Sequence, residues 1–159
     1  MVETKYLRPM KASRRRPTPG DVFVMNLVNG RYLYGRVILA DRPRNVAPMP
    51  GSNLIQVYDT IADEPVLDAP LSTDRLLIPP LFINRLPWTL GLFATIASRP
   101  LLEGDRLRRY CFRRWTGAFL DENGVQLAQR SEPCGEWGLA SYALLDNAVG
   151  EALGHLATT

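Results

Sequence analysis

Alternating apolar positions in the first third of the chain predict a β-hairpin. Two runs of β-branched, aromatic and aliphatic residues, Asp21 to Val28 and Arg31 to Ala40, flank the dipeptide Asn29-Gly30. Asn-Gly between two such runs favours a tight turn, because its positions need positive φ. Alternate residues of the first run form two apolar sets: Phe23, Met25 and Leu27 on one face, and Val22, Val24 and Val28 on the other. Since both faces are apolar, we expect this strand to lie inside a sheet.

Further short strands are predicted along the middle of the chain. After a Pro- and Gly-containing loop from Asp41 to Ser52, the apolar runs are Asn53 to Asp59, Leu76 to Ile78, Leu81 to Asn84, Thr89 to Ser98, Arg109 to Trp115 and Phe119 to Leu127. Pro79-Pro80 makes the run that follows it a short or edge strand, because proline donates no ladder hydrogen bond. The run from residue 89 also fits a helix. Asp121-Glu-Asn-Gly124 favours a hairpin turn with Gly124 in the left-handed region.

Helical spacing appears clearly only near the C-terminus. The apolar residues there recur every three or four positions: Leu145, Ala148, Val149, Ala152, Leu153 and Leu156. Asp146 fits the N-cap of this helix, and Gly150 within it costs about 1 kcal/mol relative to alanine. About seven short strands and one terminal helix predict an α+β, mainly β fold. We expect a curved antiparallel sheet or partly open barrel with the C-terminal helix packed on it.

Length and charge divide the chain into an arm and a domain. Residues 1–18 carry a net charge of +5 within their first 16 positions, whereas the whole 159-residue chain carries +3, so we expect a flexible basic arm. Residues 19–159 are long enough for a single globular domain. No run approaches the roughly 18 apolar residues that span a bilayer, and the N-terminus lacks the apolar core of a secretory signal. We therefore expect a cytoplasmic protein with no membrane partner.

Motifs of enzyme and metal chemistry are missing from the sequence. Cys111 and Cys134 have no Cys-x-x-Cys spacing, and His155 is the single histidine. Nucleophile elbows, phosphate-binding Gly-rich loops and metal-ligand clusters are not found. We expect two reduced thiols, no enzymatic activity, no catalytic residue, no cofactor and no metal.

Acidic residues concentrate in two predicted loops. Residues 59–75 carry a net charge of −4 and residues 121–136 a net charge of −3. If the loops converge, they present a field that suits a basic partner; if they lie more than about 8 to 10 Å apart in solvent, the charges contribute little. The candidate partner-binding residues are Asp59, Asp63, Glu64, Asp68, Asp121, Glu122, Glu136 and Trp137. Trp137 is included because Gly135 and Gly138 suit tight turns that leave a large ring at a rim, whereas Trp88 and Trp115 are expected in the core.

A basic segment between these loops favours an alternative function. Residues 99–114 hold six arginines against Glu103 and Asp105, with Tyr110, Phe112 and Trp115 interleaved or adjacent. Arginine with stacking aromatic rings is typical of single-stranded nucleic-acid binding. Strand geometry splits these aromatics between two faces, so at least half of them should be core. The chain also has 17 arginines and 2 lysines, and this general bias explains much of the excess.

Scattered Gly, Pro and aromatic motifs resemble one bacterial family. They are Pro19-Gly-Asp-Val-Phe23, Tyr34-Gly-Arg-Val37, Pro79-Pro-Leu-Phe-Ile-Asn-Arg-Leu-Pro-Trp88, Arg99-Pro-Leu101, Tyr110-Cys-Phe112, Asp121-Glu-Asn-Gly124 and Gly135-Glu-Trp-Gly138. With these motifs, the region from about residue 17 to 156 resembles the immunity protein 26 family. The resemblance implies an antitoxin encoded beside a toxin of a polymorphic toxin system. It brings no catalytic residues with it.

A weaker resemblance concerns the first hairpin. Pro19-Gly-Asp-Val-Phe23, followed by a hairpin into Gly35-Arg-Val-Ile-Leu39, resembles the opening of MazF-like endoribonuclease toxins, which are small SH3-like barrels. Arg36 is the residue that matches their catalytic arginine. From the whole sequence we predict an immunity protein that occludes a cognate, basic toxin, with nucleic-acid binding and ribonuclease activity as alternatives.

Overall fold

The fold is built on a curled, mainly antiparallel sheet with a helix at its C-terminal end. The computed structural model describes residues 3–154. Its strands are β1 Leu7–Arg8, β2 Asp21–Leu27, β3 Tyr32–Arg42, β4 Ser52–Ala62, β5 Leu81–Ile83, β6 Ala94–Ser98, β7 Cys111–Arg113, β8 Phe119–Leu120, β9 Cys134–Glu136 and β10 Leu139–Ala140. The helices are α1 Leu86–Thr89 and α2 Tyr142–Ala152. The predicted mainly β class, with a curved sheet and a C-terminal helix, is confirmed.

Seven strands form the main sheet, in the order β1-β2-β3-β4-β5-β10, with β6 also paired to β2. The two partners β1 and β6 share one edge of β2, because β1 pairs with Leu27 and Asn26 whereas β6 pairs with residues 21–24. All pairs in this sheet are antiparallel except β5 with β10. The remaining strands form a separate three-stranded sheet, β8-β7-β9, which we call the small sheet.

Strand β2 buries both of its faces, as its pattern predicts. Phe23, Met25 and Leu27 belong to the main core, and Val22 and Val24 to a second cluster on the opposite face. The ring of Phe23 stacks on Phe93 at 4.3 Å and meets Trp88 edge-on at 5.4 Å. Gly35 of β3 lies under this ring, and a Cβ there would stand 2.3 Å from Phe23 Cζ. The predicted hairpin is confirmed by the pairing of β2 with β3, but of its two turn positions only Gly30 has a positive φ, at +87°.

Several predicted boundaries differ in the structure. The stretch from residue 89 combines the end of α1, a turn and strand β6, so it is neither one strand nor one helix. Strand β5 is short but has partners on both sides. Helix α2 begins at Tyr142, and the Ser141 hydroxyl accepts the hydrogen bond of the Leu144 N–H at 3.1 Å. Leu156 lies outside the described residues.

Asp146 is a connector and not the predicted N-cap. Its side chain is buried within α2, with 2% of the residue exposed. One carboxylate oxygen accepts hydrogen bonds from the N–H groups of Tyr6 at 3.0 Å and Leu7 at 2.9 Å, and the other accepts one from the Lys5 N–H at 2.7 Å. Lys5 and Tyr6 directly precede β1, and Leu7 is its first residue. The carboxylate therefore joins the first strand to the last helix.

The basic N-terminal segment, expected to be a flexible arm, contacts the domain at Leu7, Met10 and Ser13. Leu7 is buried in the main core, and β1 pairs with β2. Further along, the Met10 N–H donates to the Gly91 carbonyl at 2.7 Å and the Ser13 N–H to the Trp88 carbonyl at 3.0 Å. Among the lysines and arginines of this segment, the apolar Leu7 is the residue that packs into the main core.

Candidate partner-binding surface

The small sheet carries a protruding hairpin. β7 and β8 pair in antiparallel fashion, and β9 runs parallel to β7, with Arg113 opposite Phe119 on one side and Glu136 on the other. The turn is closed by hydrogen bonds from the Arg114 N–H to the Ala118 carbonyl at 2.7 Å and from the Gly117 N–H to the Arg114 carbonyl at 2.8 Å. Gly117 has φ +96°, a conformation that glycine adopts without strain. The tip is thus a defined turn, residues 113–117, and all five of these residues are exposed.

Trp115 at this tip is 88% exposed. The expectation that it lies in the core is wrong. Trp88, by contrast, is buried as expected, and its indole N–H donates to Thr95 Oγ1 at 3.1 Å. The signal that sequence reasoning missed is local, because Gly117, two residues after Trp115, is typical of a turn.

Trp137 is half-buried and packs against the small sheet's core. Its ring meets Phe82 edge-on at 5.3 Å and Phe112 at 6.1 Å. A Cβ on Gly124 would approach the indole to 3.2 Å. The tryptophan predicted for a rim therefore helps to hold the hairpin of residues 121–124 in place, and the exposed tryptophan is a different one.

Five arginines around the small sheet are exposed and form no ion pair within residues 3–154: Arg106, Arg108, Arg109, Arg113 and Arg114. We call residues 106–114 the arginine segment. Its aromatic residues Tyr110 and Phe112 are buried in the core beneath it, which agrees with the expectation that at least half of the aromatics are core. Only the arginines, together with Trp115, face solvent.

A buried polar network fixes the start of this segment. The Tyr110 hydroxyl donates to Gln56 Oε1 at 2.5 Å and accepts from the Leu107 N–H at 3.2 Å. Gln56 Nε2 donates to the Tyr58 hydroxyl at 2.9 Å and to the Asp105 carbonyl at 3.2 Å. Burial disfavours the phenolate form and raises the pKa of both Tyr58 and Tyr110 to about 12. The network ties the arginine segment to strand β4.

The first group of predicted acidic residues surrounds the end of β4. Asp59 is exposed, and its backbone N–H donates a hydrogen bond to the Arg75 carbonyl at 2.7 Å. Asp63 forms an exposed ion pair with Arg31 at 3.0 Å. Glu64 offers its carbonyl to the Tyr34 hydroxyl at 3.2 Å, and burial, with the charge of Asp68 adding to it, raises the pKa of that hydroxyl. These four residues therefore share one region near Tyr34.

The second group lies on the small sheet. Asp121 Oδ1 accepts the N–H groups of Asn123 and Val125, both at 2.9 Å, so this carboxylate stabilises its own turn. Glu122 is half-buried, and Glu136 is exposed on β9. Arg130 pairs with Glu132 at 2.7 Å and covers the Phe119 ring.

The surface between these two acidic groups carries both acidic and basic side chains. A groove of about 900 Å³ is lined by Asp74 and Glu132 together with Arg106, Arg108 and Arg109. A neighbouring groove of about 330 Å³ is lined by Asp121 and Glu122 with Arg108 and Arg109. The arginine segment thus lies beside carboxylates at the margins of both predicted loops, and the surface there has mixed charge.

Arg36 has a structural role. The residue is 6% exposed. Its guanidinium donates to the Arg99 carbonyl at 2.9 Å and pairs with Asp105 at 3.1 Å. Held between two loops in this way, it adds nothing in favour of the ribonuclease alternative.

The cysteines are both free, at aligned positions of β7 and β9. Burial raises the pKa of Cys134 to about 12. Within the part of the chain that the structure describes, no three His, Cys, Asp or Glu residues gather as metal ligands. Among the same residues, no helix is long and apolar enough to cross a bilayer. His155 lies outside the described residues.

Comparison with known proteins gives one match. No curated protein and no solved structure matches the chain. The family model described as Immunity protein 26 matches residues 18–119. This region runs from before β2 into β8 and includes the arginine segment and Trp115, whereas β9, β10 and α2 follow it. Since the match covers more than half of the 159 residues, the chain belongs to the immunity protein 26 family.

Proposed function

We propose that the protein neutralises a cognate toxin of its own cell by stoichiometric binding, in the cytoplasm and without turnover or cofactor. The family match over residues 18–119 carries this proposal. Family membership implies an immunity protein and therefore a toxin partner; occlusion is the mechanism that needs no catalytic group. A complex of standard size, burying about 1,600 Å², is enough for tight inhibition.

The small sheet and its surroundings are the surface we assign to the toxin. Four of the predicted residues, Asp121, Glu122, Glu136 and Trp137, belong to this region, and Trp137 supports it from within. The carboxylates would meet basic groups of the toxin and raise the association rate, because complementary charge steers encounter. The other four, Asp59, Asp63, Glu64 and Asp68, form a second acidic region that we propose contributes to the same steering.

Co-purification followed by a protection assay tests the function. A tagged chain is purified from its native host at about 300 mM salt with nuclease treatment. We expect one polypeptide in equimolar amount, which kills cells when expressed alone and does not when this chain is co-expressed. A chain recovered alone, or a partner that does not kill, would contradict the proposal.

Two charge-neutralised variants distinguish the acidic regions. One carries Asp59→Asn, Asp63→Asn, Glu64→Gln and Asp68→Asn, and the other Glu122→Gln and Glu136→Gln. Asp121 is left intact because its carboxylate holds its own turn. Stopped-flow association with the toxin at about 50 and 200 mM salt should show slower binding for the variant whose region faces the toxin. Equal rates for both variants and the unmodified chain would exclude a steering role.

Single-stranded nucleic acid is the second candidate partner, because the exposed arginines lie next to an exposed indole ring. If it is correct, affinity for a short RNA falls by orders of magnitude between about 50 and 200 mM salt. A toxin complex should lose much less over the same range.

A further inference from the structure

We propose that Trp115, at the tip of the β7–β8 hairpin, is the anchor that inserts into an apolar pocket of the toxin whose rim carries carboxylates. The inference rests on the proposed function and assigns a role to a residue that sequence reasoning placed in the core. At 88% exposure, Trp115 is the most exposed large apolar side chain in the described part of the chain. Tryptophan is enriched among residues that dominate binding energy at protein interfaces.

The rigidity of the tip suits an anchor. Two backbone hydrogen bonds close the turn around Trp115, and the flanking strands pair within the small sheet. Below them, Phe112 is buried against Phe82 at a ring distance of 4.7 Å. The indole is therefore held away from the domain before any partner arrives, so little backbone freedom is lost on binding.

The charges beside the tip define the partner's chemistry. Arg113 and Arg114 directly precede Trp115, are exposed and form no ion pair within residues 3–154. Glu136 is opposite Arg113 on β9, so the edge nearest the ring carries a net positive charge. A pocket that takes the indole would complement this edge with Asp or Glu side chains at its rim. Guanidinium groups also bind carboxylates in bidentate geometry.

A protein pocket suits this arrangement better than a nucleic-acid strand. Binding of single strands uses several aromatic rings, on which successive bases stack. Here Tyr110 and Phe112 are both buried and Phe119 is half-buried beneath Arg130, which leaves Trp115 as the one exposed ring of the arginine segment and its hairpin. A lone protruding indole fits insertion into a pocket.

Leu102 provides the matched control. It is 71% exposed and lies near the same segment, but it borders a groove of about 470 Å³ formed with the chain's own Leu67, Leu71 and Pro100. The variants to compare are Trp115→Ala, Trp115→Phe and Leu102→Ala. All three substitute exposed side chains, so their urea unfolding midpoints should match that of the unmodified protein.

The test measures the dissociation constant for the purified toxin domain from the co-purification, by titration calorimetry. We expect Trp115→Ala to weaken binding at least about 100-fold, Trp115→Phe about tenfold and Leu102→Ala less than threefold. Reversing Arg113 and Arg114 to glutamate should weaken binding, because the new carboxylates would face the carboxylates at the rim of the pocket. Acrylamide quenching of tryptophan fluorescence should fall on complex formation in the unmodified protein and stay unchanged in Trp115→Ala.

The outcomes separate this inference from the proposed function. If the unmodified protein binds and neutralises the toxin and Trp115→Ala does so equally well, the anchor is refuted while the function stands. If no toxin is recovered, both fail together. If Trp115→Ala loses affinity only for a short single-stranded RNA, the hairpin is a nucleic-acid contact and the inference is overturned.

Discussion

The main sheet and the small sheet are stabilised in different ways. In the main sheet, strands of 7 and 11 residues bury aromatic and aliphatic side chains on the inner face. The strands of the small sheet have two or three residues. They are held by a few rings around Phe112 and by the hydrogen bonds of Gln56, Tyr58 and Tyr110.

This difference separates scaffold from surface. Long strands that bury both faces leave little room for change, because core substitutions cost several kcal/mol. The short strands and the loops beside them carry five arginines without ion pairs and an exposed tryptophan, all outside the main core. The partner-binding surface we propose is built on the second kind of structure.

The largest effect on stability is expected at Asp146, which connects α2 to β1 of the main sheet. Asp146→Ala removes the acceptor of three backbone N–H groups. Charged acceptors contribute about 1.5–3 kcal/mol per bond, so we expect a loss of about 3 kcal/mol or more in the free energy of unfolding. Urea denaturation measures it, with Asn147→Ala, an exposed neighbour, as the control. Equal midpoints for the two variants would show that β1 is held by packing alone.

A smaller effect is expected in the small sheet. Gln56→Leu leaves the Tyr58 and Tyr110 hydroxyls without their amide partner, at a cost of about 2 kcal/mol. Hydrogen exchange should rise in residues 105–113 and stay unchanged in β2, because the two regions open separately. The exposed Gln126→Leu serves as the control. A uniform rise in exchange over the whole chain would disprove the separation into scaffold and surface.

Gly150→Ala tests how tightly β1 is packed onto α2. Helix propensity alone favours alanine by about 1 kcal/mol. The added Cβ would nevertheless stand 2.2 Å from the Tyr6 ring, so we expect a net loss of about 1–2 kcal/mol. In a Tyr6→Ala background the same substitution should stabilise the protein. Urea denaturation of the unmodified protein, the two single variants and the double variant measures this coupling. If the two changes in unfolding free energy add up in the double variant, residues 6 and 150 do not interact.

Alkaline pH should weaken the small sheet's network above about pH 10. Tyr58 and Tyr110 have folded-state pKa values of about 12 against an ordinary value of 10.0. The folded protein therefore keeps these protons more tightly, so its stability is full below pH 10 and falls as pH rises towards 12. Urea midpoints measured from pH 8 to 11.5 should fall less steeply for Tyr110→Phe than for the unmodified protein. Identical slopes would exclude Tyr110 as a source of the dependence.

Much of the scaffold follows from the sequence because it depends on local periodicity. The alternation in residues 22–27 predicts the buried strand and both apolar clusters, and Asn29-Gly30 predicts its turn. The spacing from Leu145 to Leu153 predicts the helix, although its N-cap is Ser141. Patterns of period two or near 3.6 are visible without any tertiary contact.

Features that depend on distant contacts were missed or placed wrongly. The arginine-rich N-terminal segment gives no sign that Leu7 is buried, because the carboxylate that accepts the N–H groups of Lys5, Tyr6 and Leu7 belongs to Asp146, 139 residues after Leu7. Trp115 and Trp137 exchange their expected roles since burial of a ring depends on which strands pair. The predicted runs from residues 109 and 119 contain β7 and β8, but the two- and three-residue strands β1, β9 and β10 carry too little pattern to be predicted.

The contact between β1 and Asp146 also has a consequence in time. The ribosome makes Leu7 first and Asp146 139 residues later. At about 5–20 residues per second, that interval is about 7 to 28 seconds. Throughout it, the first strand has no carboxylate to accept its N–H groups. The contact between β1 and α2 can therefore form only after Asp146 has been translated, so a segment made early is fastened to its helix late.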